Sequence, residues 1–293
     1  MPLNNHSKKW IYLIVLSIIW GSSYILIKKS LIGLSPLQLG GLRVVFTTIT
    51  LLIIGYSTIK DVPKNKWKWI ILTGYIGSFF PSFLFAFAQT EIDSGVTAIL
   101  NSLTPLATLF IGLFFFKLII NKRQVAGILI GLIGSGFLVT ESSSVNPDQN
   151  YFFAGLIVMA STFYAISLNM LKAHLQDVSP VAIALGNFLC ILPPSILVLI
   201  FSGFETVDLK SDEFQNSIIF VIILSIIGSA FAKIVFNKLV QISSPIFSSS
   251  ITYTLPIVAL LWGVLDGETM NVKQILATLI IFLGVYLSNK KSN

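Results

Sequence analysis

Hydrophobic positions along the chain run in long, nearly unbroken stretches, separated by short breaks rich in charge, Pro, Gly or Asn. Ten such stretches fall at about 10–28, 37–58, 67–88, 94–116, 124–140, 151–172, 179–202, 215–239, 244–265 and 273–289. Each predicts one helix long enough to cross ~30 Å of hydrocarbon. Most connections are short, and the longer ones are "IKDVPKNKWK" (59–68), "ESSSVNPDQN" (141–150) and "GFETVDLKSDEF" (203–214). The expected fold is an all-α membrane protein of ten transmembrane helices.

Composition agrees. Of 293 residues, 55% are hydrophobic and only 11% charged, with mean hydropathy +0.88, where a soluble domain carries about a quarter charged residues. The single cysteine, Cys190, lies inside an apolar run, so no intramolecular disulfide is possible. His6 and His174 are too few and too far apart for a metal site, and no cofactor is expected. Lys8 and Lys9 precede a long apolar segment without a small-residue cleavage pattern, which reads as a retained signal-anchor.

The net charge of +7 is explained by topology rather than by nucleic acid. With the N-terminus in the cytoplasm, thirteen Lys and Arg residues, from Lys8 and Lys9 through Lys60, Lys117, Arg123 and Lys172 to Lys291, collect on the inner side. Only Lys28, Lys29, Lys210 and Lys273 fall outside, and ten of the twelve acids join them. That asymmetry places both termini in the cytoplasm and the protein in the inner (plasma) membrane.

The chain also repeats itself. "WGSSYILIKKSLIGLSP" (20–36) aligns without gaps on "YAISLNMLKAHLQDVSP" (164–180), matching Ser23 with Ser167, Lys28 with Lys172 and Pro36 with Pro180. "GSFFPSFLFAF" (77–87) aligns on "GSAFAKIVFNK" (228–238), and the same register pairs Pro105 with Pro256 and Gly112 with Gly263. "RQVAGILIGLIG" (123–134) shadows "KQILATLIIFLG" (273–284) with a one-residue shift. The order of these matches predicts two halves, 1–146 and 147–293. Five spans per half is odd, so the halves should be inverted relative to each other, an arrangement many secondary transporters use.

At helical spacing Thr97, Asn101, Pro105 and Thr108 share one face of the fourth span, and Ser248, Ser249, Thr252 and Pro256 the equivalent face of the ninth. Polar groups facing lipid would go unsatisfied, so these faces are expected to turn inward. A mid-helix proline also frees a carbonyl, near residue 101 or 252, and makes Pro105 and Pro256 candidate hinges. Helix packing alone is the competing explanation for each Ser or Thr. Charged groups are more informative, because insertion at a helix centre costs roughly 3 kcal/mol. Arg43 lies inside the second span, and Lys233 and Asn237 are one turn apart on the eighth. Arg43 suits ligand binding, a structural bond to helix-end carbonyls or a gate pairing; Lys233 suits ligand contact or snorkelling to the interface.

The "WGSSYILIKK" entry, Arg43 in "SPLQLGGLRVVF", and "ILNSLTPLATLFIGLFFFK" followed by "RQVAGILIGLIGSGFLV" resemble the drug/metabolite transporter superfamily, and within it the EamA-type ten-helix exporters. "TYTLPIVALLWGVLDGETMNVKQILATLIIFLGVYL" is similar to the same family's second repeat. One departure is Lys117, which stands where the proline register expects the counterpart of Glu268. The resemblance implies a central cavity lined by spans one, three, four, six, eight and nine. It also implies export of small metabolites, often amino acids. The repeat mates Trp20 and Tyr164, then Tyr75, Ser78 and Phe79 on the third span and Tyr253 on the ninth, complete the expected site. An aromatic cavity holding a cation suits a carboxylate-bearing solute.

No span carries an unambiguous mid-membrane Asp or Glu, which argues against proton-coupled export of lipophilic cations. There is no P-loop pattern and no nucleophile–His–acid set, so no catalytic residue is expected. The sequence therefore predicts alternating-access export of amino acids or similar metabolites, by a monomer or weak homodimer in contact with membrane lipid and not nucleic acid. The alternatives are a cationic multidrug exporter and a non-transporting ligand-binding or lipid-modifying membrane protein.

Overall fold

The computed structural model describes residues 5–116, 122–145 and 148–289, and among these every regular element is helical. Lys117, Lys290, Lys291 and the expected boundary between the halves at 146–147 lie outside the described residues. The first two spans are α1 (Asn5–Ser30) and α2 (Pro36–Gly55). The turn between them closes on Ser35, whose hydroxyl accepts from the Gln38 amide while Gln38 reaches back to the Ser35 N–H. That reciprocal cap, with Pro36 at the first helical position, fixes where α2 begins.

The third span is α3 (Trp67–Gly74) and α4 (Phe80–Ala88), joined through a widened π-type turn at Tyr75–Phe79. The fourth is α5 (Ser94–Asn101) and α6 (Thr104–Phe116), interrupted at Ser102 and Leu103. Then follow α7 (Lys122–Val145), α8 (Ala154–His174) and α9 (Pro180–Ile200). The eighth span is α10 (Asp212–Ile223) and α11 (Ala232–Ile242), linked by a second π segment at Leu224–Phe231. The ninth is α12 (Pro245–Ser249), a 3₁₀ turn at Ser250–Tyr253 and α13 (Leu255–Leu265). The tenth is α14 (Val272–Asn289).

Nine of these stretches among the described residues are long and apolar enough to cross a membrane, and Val272–Gly284 is a shorter apolar tenth. Their outer surface agrees, since Ile53, Phe115, Phe152, Phe201 and Leu265 are each more than three-quarters exposed. Water would penalise such a surface; hydrocarbon does not.

The fourth and ninth spans differ from the continuous, proline-kinked helices expected. Each is broken outright, and its proline stands in the first turn of the new helix. There the missing N–H costs nothing, because the first turn has no intrahelical acceptor for it. Helix pairing runs between the halves, with α1 on α13 and α6 on α8, while α2 packs on α9 and α7 on α14.

The α7–α14 contact is backbone against backbone. A Cβ built at Gly284 would stand 2.4 Å from the Gly131 nitrogen and 2.6 Å from the Gly127 carbonyl oxygen. Small residues permit this approach, which in lipid replaces the hydrophobic drive available in water. Gly136, on the same helix as Gly131, has open space where its Cβ would be. We expect Gly284→Leu to prise α14 off α7 at a cost of about 1–3 kcal/mol or more. Thermal unfolding of purified protein in detergent would report a lower midpoint for Gly284→Leu and an unchanged one for Gly136→Ala.

Candidate functional site

The two π turns fall on the aligned glycines of the repeat, Gly77 and Gly228. A widened turn leaves a carbonyl short of its amide partner, and in a dry interior another donor must supply the bond. Lys233 Nζ donates to the Gly77 carbonyl at 3.1 Å, and Trp20 Nε1 donates to the Gly228 carbonyl at 2.9 Å. The same glycines seat neighbouring helices. A Cβ on Gly77 would lie 2.2 Å from Ser167 Oγ, and one on Gly228 would lie 2.9 Å from Ser23 Oγ. The glycine of each π turn thus meets a serine from the sequence segment aligned with the other.

These contacts border a cavity of about 130 Å³, far above the roughly 10–15 Å³ that one water needs. One wall comes from α1 and α8, where Trp20, Tyr24 and Tyr164 present rings. Trp20 meets Phe236 at 5.1 Å between ring centres, and Tyr164 stacks on Phe85 at 5.9 Å. A second wall carries hydroxyls from the π turns, Ser78 and Ser229, with Ser82 one turn beyond Ser78. The third is built from the two broken spans, through Asn101, Thr104, Ser249 and Thr252.

Asn101 is held on every side. Its Nδ2 donates to the Tyr24 hydroxyl at 2.8 Å, and its Oδ1 accepts from Ser161 and lies 3.0 Å from the Thr104 hydroxyl. Thr104 also reaches the Asn101 backbone carbonyl at 2.8 Å. That carbonyl is the one Pro105 leaves without an amide donor, near the position expected from the sequence.

Two cations reach the cavity. Arg43 Nε donates to Ser229 Oγ at 2.8 Å, and Lys233 follows Ser229 by one turn on the same helix face. Neither has a carboxylate partner among the described residues, and no Asp, Glu, His or Cys lines the cavity. The lining therefore has none of the side chains that usually hold a metal.

Of the residues singled out in the sequence, Trp20, Arg43, Ser78, Asn101, Tyr164, Lys233, Ser248, Ser249 and Thr252 line this one cavity. The others are placed elsewhere. Tyr75 and Phe79 pack on each other at 5.5 Å and on the apolar cluster of α2 and α9, because the π turn gives the cavity to Gly77 and Ser78 instead. Asn237 is fully buried and donates to the Pro180 carbonyl, tying α11 to α9. Thr97 is buried within α5, and Tyr253 packs against the main apolar core. Pro105 and Pro256 begin the second helices of the broken spans, behind the lining. Sequence reasoning passed over Tyr24, Ser82, Thr104, Ser167, Ser229 and Phe236. Two of these were within reach, since Ser167 mates with Ser23 and Ser229 with Ser78 in the repeat register.

An ion cluster lies just beyond the cavity end of α1. Lys28 pairs with Asp266 and Glu268 at 2.9 Å each, and Lys29 pairs with Asp266. Glu268 also accepts from the Ser94 hydroxyl at 2.7 Å and from the Ser94 and Gly95 amides at 3.1 Å. One carboxylate thus joins α1, the start of α5 and the loop after α13. Burial pushes the Glu268 carboxyl up, but bonds from Lys28, Ser94 and Gly95 together outweigh it and hold it below the usual range. Asp266 is likewise lowered, its burial outweighed by Lys29 and Lys28. At the opposite end Lys172, the repeat mate of Lys28, donates only to the Val240 and Gln241 carbonyls and to Gln176.

The model of the EamA-like transporter family matches residues 8–140 and again 152–290. An uncharacterised transporter of Archaeoglobus fulgidus is 26% identical, over 97% of this chain and 99% of its own. A probable amino-acid metabolite efflux pump of Salmonella typhimurium is 22% identical over 92% of this chain and 91% of its own. The uncharacterised inner membrane transporter YedA of Escherichia coli is 26% identical over 94% and 88%. One solved crystal structure shares the fold at a TM-score of 0.70 and 16% identity, covering 97% of this chain and 96% of that one.

Carboxylates lowered in the folded protein stabilise it above their ordinary pKa, and that contribution is lost as pH falls through the folded value. The unfolding midpoint of the native chain should therefore exceed that of Glu268→Gln at pH 7. The difference should shrink as pH falls below about 4, and parallel melts across that range would measure it.

Proposed function

Because the chain belongs to the EamA-like transporter family and is a multi-pass transporter of the inner membrane, we propose that it exports amino acids or similar small metabolites by alternating access. The observation that carries this reading is the cavity itself, walled by polar and aromatic side chains from both matched segments and bordered by two broken spans. Irregular backbone is tolerated at membrane depth only inside protein or along a water-filled cavity, and discontinuous helices of this kind commonly mark substrate sites in transporters.

The halves 1–146 and 147–293 form inverted five-helix repeats with both termini cytoplasmic. The exchanged contacts Gly77–Ser167 and Gly228–Ser23 support that reading, as do the two family matches in succession. Pro105 and Pro256 lie at the breaks about which the half-helices swing. Lys28, Lys29, Asp266, Glu268 and the start of α5 form the outer gate, whose ion pairs part each time cargo leaves. The working unit is a monomer or weak homodimer.

A cationic-drug exporter would want an acid in its cavity, and none lines this one. A lipid-modifying role would put chemistry on Glu268, whose oxygens are already engaged by Lys28, Ser94 and Gly95.

The test is counterflow into liposomes holding the purified protein, with labelled amino acids, organic acids and cationic dyes. Saturable uptake of one solute class is expected. Ser249→Trp, which fills the cavity, should abolish it while the protein remains folded. Flux that persists unchanged in Ser249→Trp would refute a route through this cavity.

A further inference from the structure

We infer that the cavity selects a small organic acid of net negative charge, its carboxylate held between Arg43 and Lys233 and its apolar body against Trp20, Tyr164 and Phe236. This rests on the transport reading above and narrows its cargo. Within the metabolite class it favours organic anions, acidic amino acids included, over zwitterions and cations.

The repeat supplies an internal control. In the register that pairs Pro36 with Pro180, the counterpart of Arg43 is Asn187. Asn187 makes the equivalent contact to the third span, donating to the Thr73 hydroxyl and the Ile70 carbonyl. In the register that pairs Gly77 with Gly228, the counterpart of Lys233 is Ser82, which bonds only its own helix at Ser78. A neutral side chain therefore suffices to join the helices at the Arg43 position, and at the Lys233 position the mate joins none. In each pair only one member is charged, and both charged members reach the same cavity.

Those charges are not consumed by the protein. Arg43 carries five N–H donors and uses one on Ser229; Lys233 carries three and uses one on Gly77. Two cations brought together at membrane depth, without an acid, repel each other and gain from an anion between them. A carboxylate supplies that charge and accepts bonds from both heads at once. The α-ammonium of a zwitterion would enter the same field with no carboxylate to receive it. The Ser78 hydroxyl remains for a carbonyl or hydroxyl on the ligand, while Ser82 and Ser167, which donate to the Ser78 and Thr73 carbonyls, still accept from a ligand hydroxyl. The same charge logic removes the need for a coupling carboxylate. An anion moving outward runs down an inside-negative potential.

The test uses three ligands with one phenyl ring and one chain length, differing in charge: 3-phenylpropionate, phenylalanine and phenethylamine. Each is titrated against the purified full chain, with binding read by competition against labelled 3-phenylpropionate and by tryptophan fluorescence, and each is then offered in counterflow. The anion should bind at least about tenfold tighter than phenylalanine, and phenethylamine should not compete. Arg43→Gln and Lys233→Gln should each weaken the anion about tenfold or more, while Arg43→Lys keeps part of the affinity. Should a glutamine variant fail to fold, the ranking of the three ligands on the unaltered protein still decides. Phenylalanine binding as well as or better than the anion would overturn the assignment, and so would anion affinity unchanged in both glutamine variants. If none of the three binds while another solute class shows saturable counterflow, the anion assignment falls and transport stands. Tight anion binding without counterflow of any solute would leave the anion site standing and remove the transport reading.

Discussion

Backbone hydrogen bonding in a medium without water is the constraint on which the rest of this structure depends. Each amide and carbonyl in the spans must find a partner inside the protein, so every departure from a regular helix needs a donor or acceptor brought from elsewhere. Among the described residues, two π turns and two breaks cluster around one cavity. Lys233 serves Gly77, Trp20 serves Gly228 and Thr104 serves Asn101. Side chains that repair the backbone are thus the same ones that give the cavity its chemistry. Substituting Lys233, Trp20 or Thr104 alters the cavity lining and removes a structural bond together.

Charge is distributed with equal economy. Within the membrane the cavity holds cations and no acid, whereas the acids that do approach the bundle are gathered with Lys28 and Lys29 at its rim. The two sets do different work. Rim pairs are satisfied by one another and hold helices together; the cavity pair bonds Ser229 and the Gly77 carbonyl but has no carboxylate partner among the described residues. Glu268 is the pivot of the rim because it accepts from a lysine, a hydroxyl and two amides at the start of a helix, where a carboxylate is favoured by both hydrogen bonding and the helix dipole.

Much of this was legible in the sequence, and the reason is that lipid simplifies the code. Length and apolarity located the helices to within a few residues, and the repeated Gly-Ser pairs fall on the two π turns beside the cavity. The proline register drew attention to Asn101 and Thr252 on the two broken spans. The third span departs from the expectation. Tyr75 and Phe79 are expected at the cavity because they lie on a span the resemblance makes cavity-lining, yet a π turn presents Gly77 and Ser78 there, and no periodic pattern announces such a turn. Tyr24 was passed over because an aromatic in an apolar run reads as packing; only its bond to Asn101 distinguishes it. The role of Glu268 was also hidden, since its partners Lys28 and Ser94 are distant in the chain and meet only in the folded bundle.

The exchange of partners between the two segments bears on how the protein is made. Ribosomes deliver the first five spans to the bilayer before the last five exist. During that interval Arg43 has no Ser229, Asn101 has no Ser161, Trp20 has no Gly228 carbonyl, and Lys28 and Lys29 have no acids. The nascent half must therefore keep these groups near the lipid surface, or bonded to water or to the insertion machinery. Burial of the interior becomes favourable only when the later spans arrive. Assembly is in this sense completed late, and a chain interrupted midway leaves Arg43, Trp20, Lys28 and Lys29 without the partners that the later spans bring.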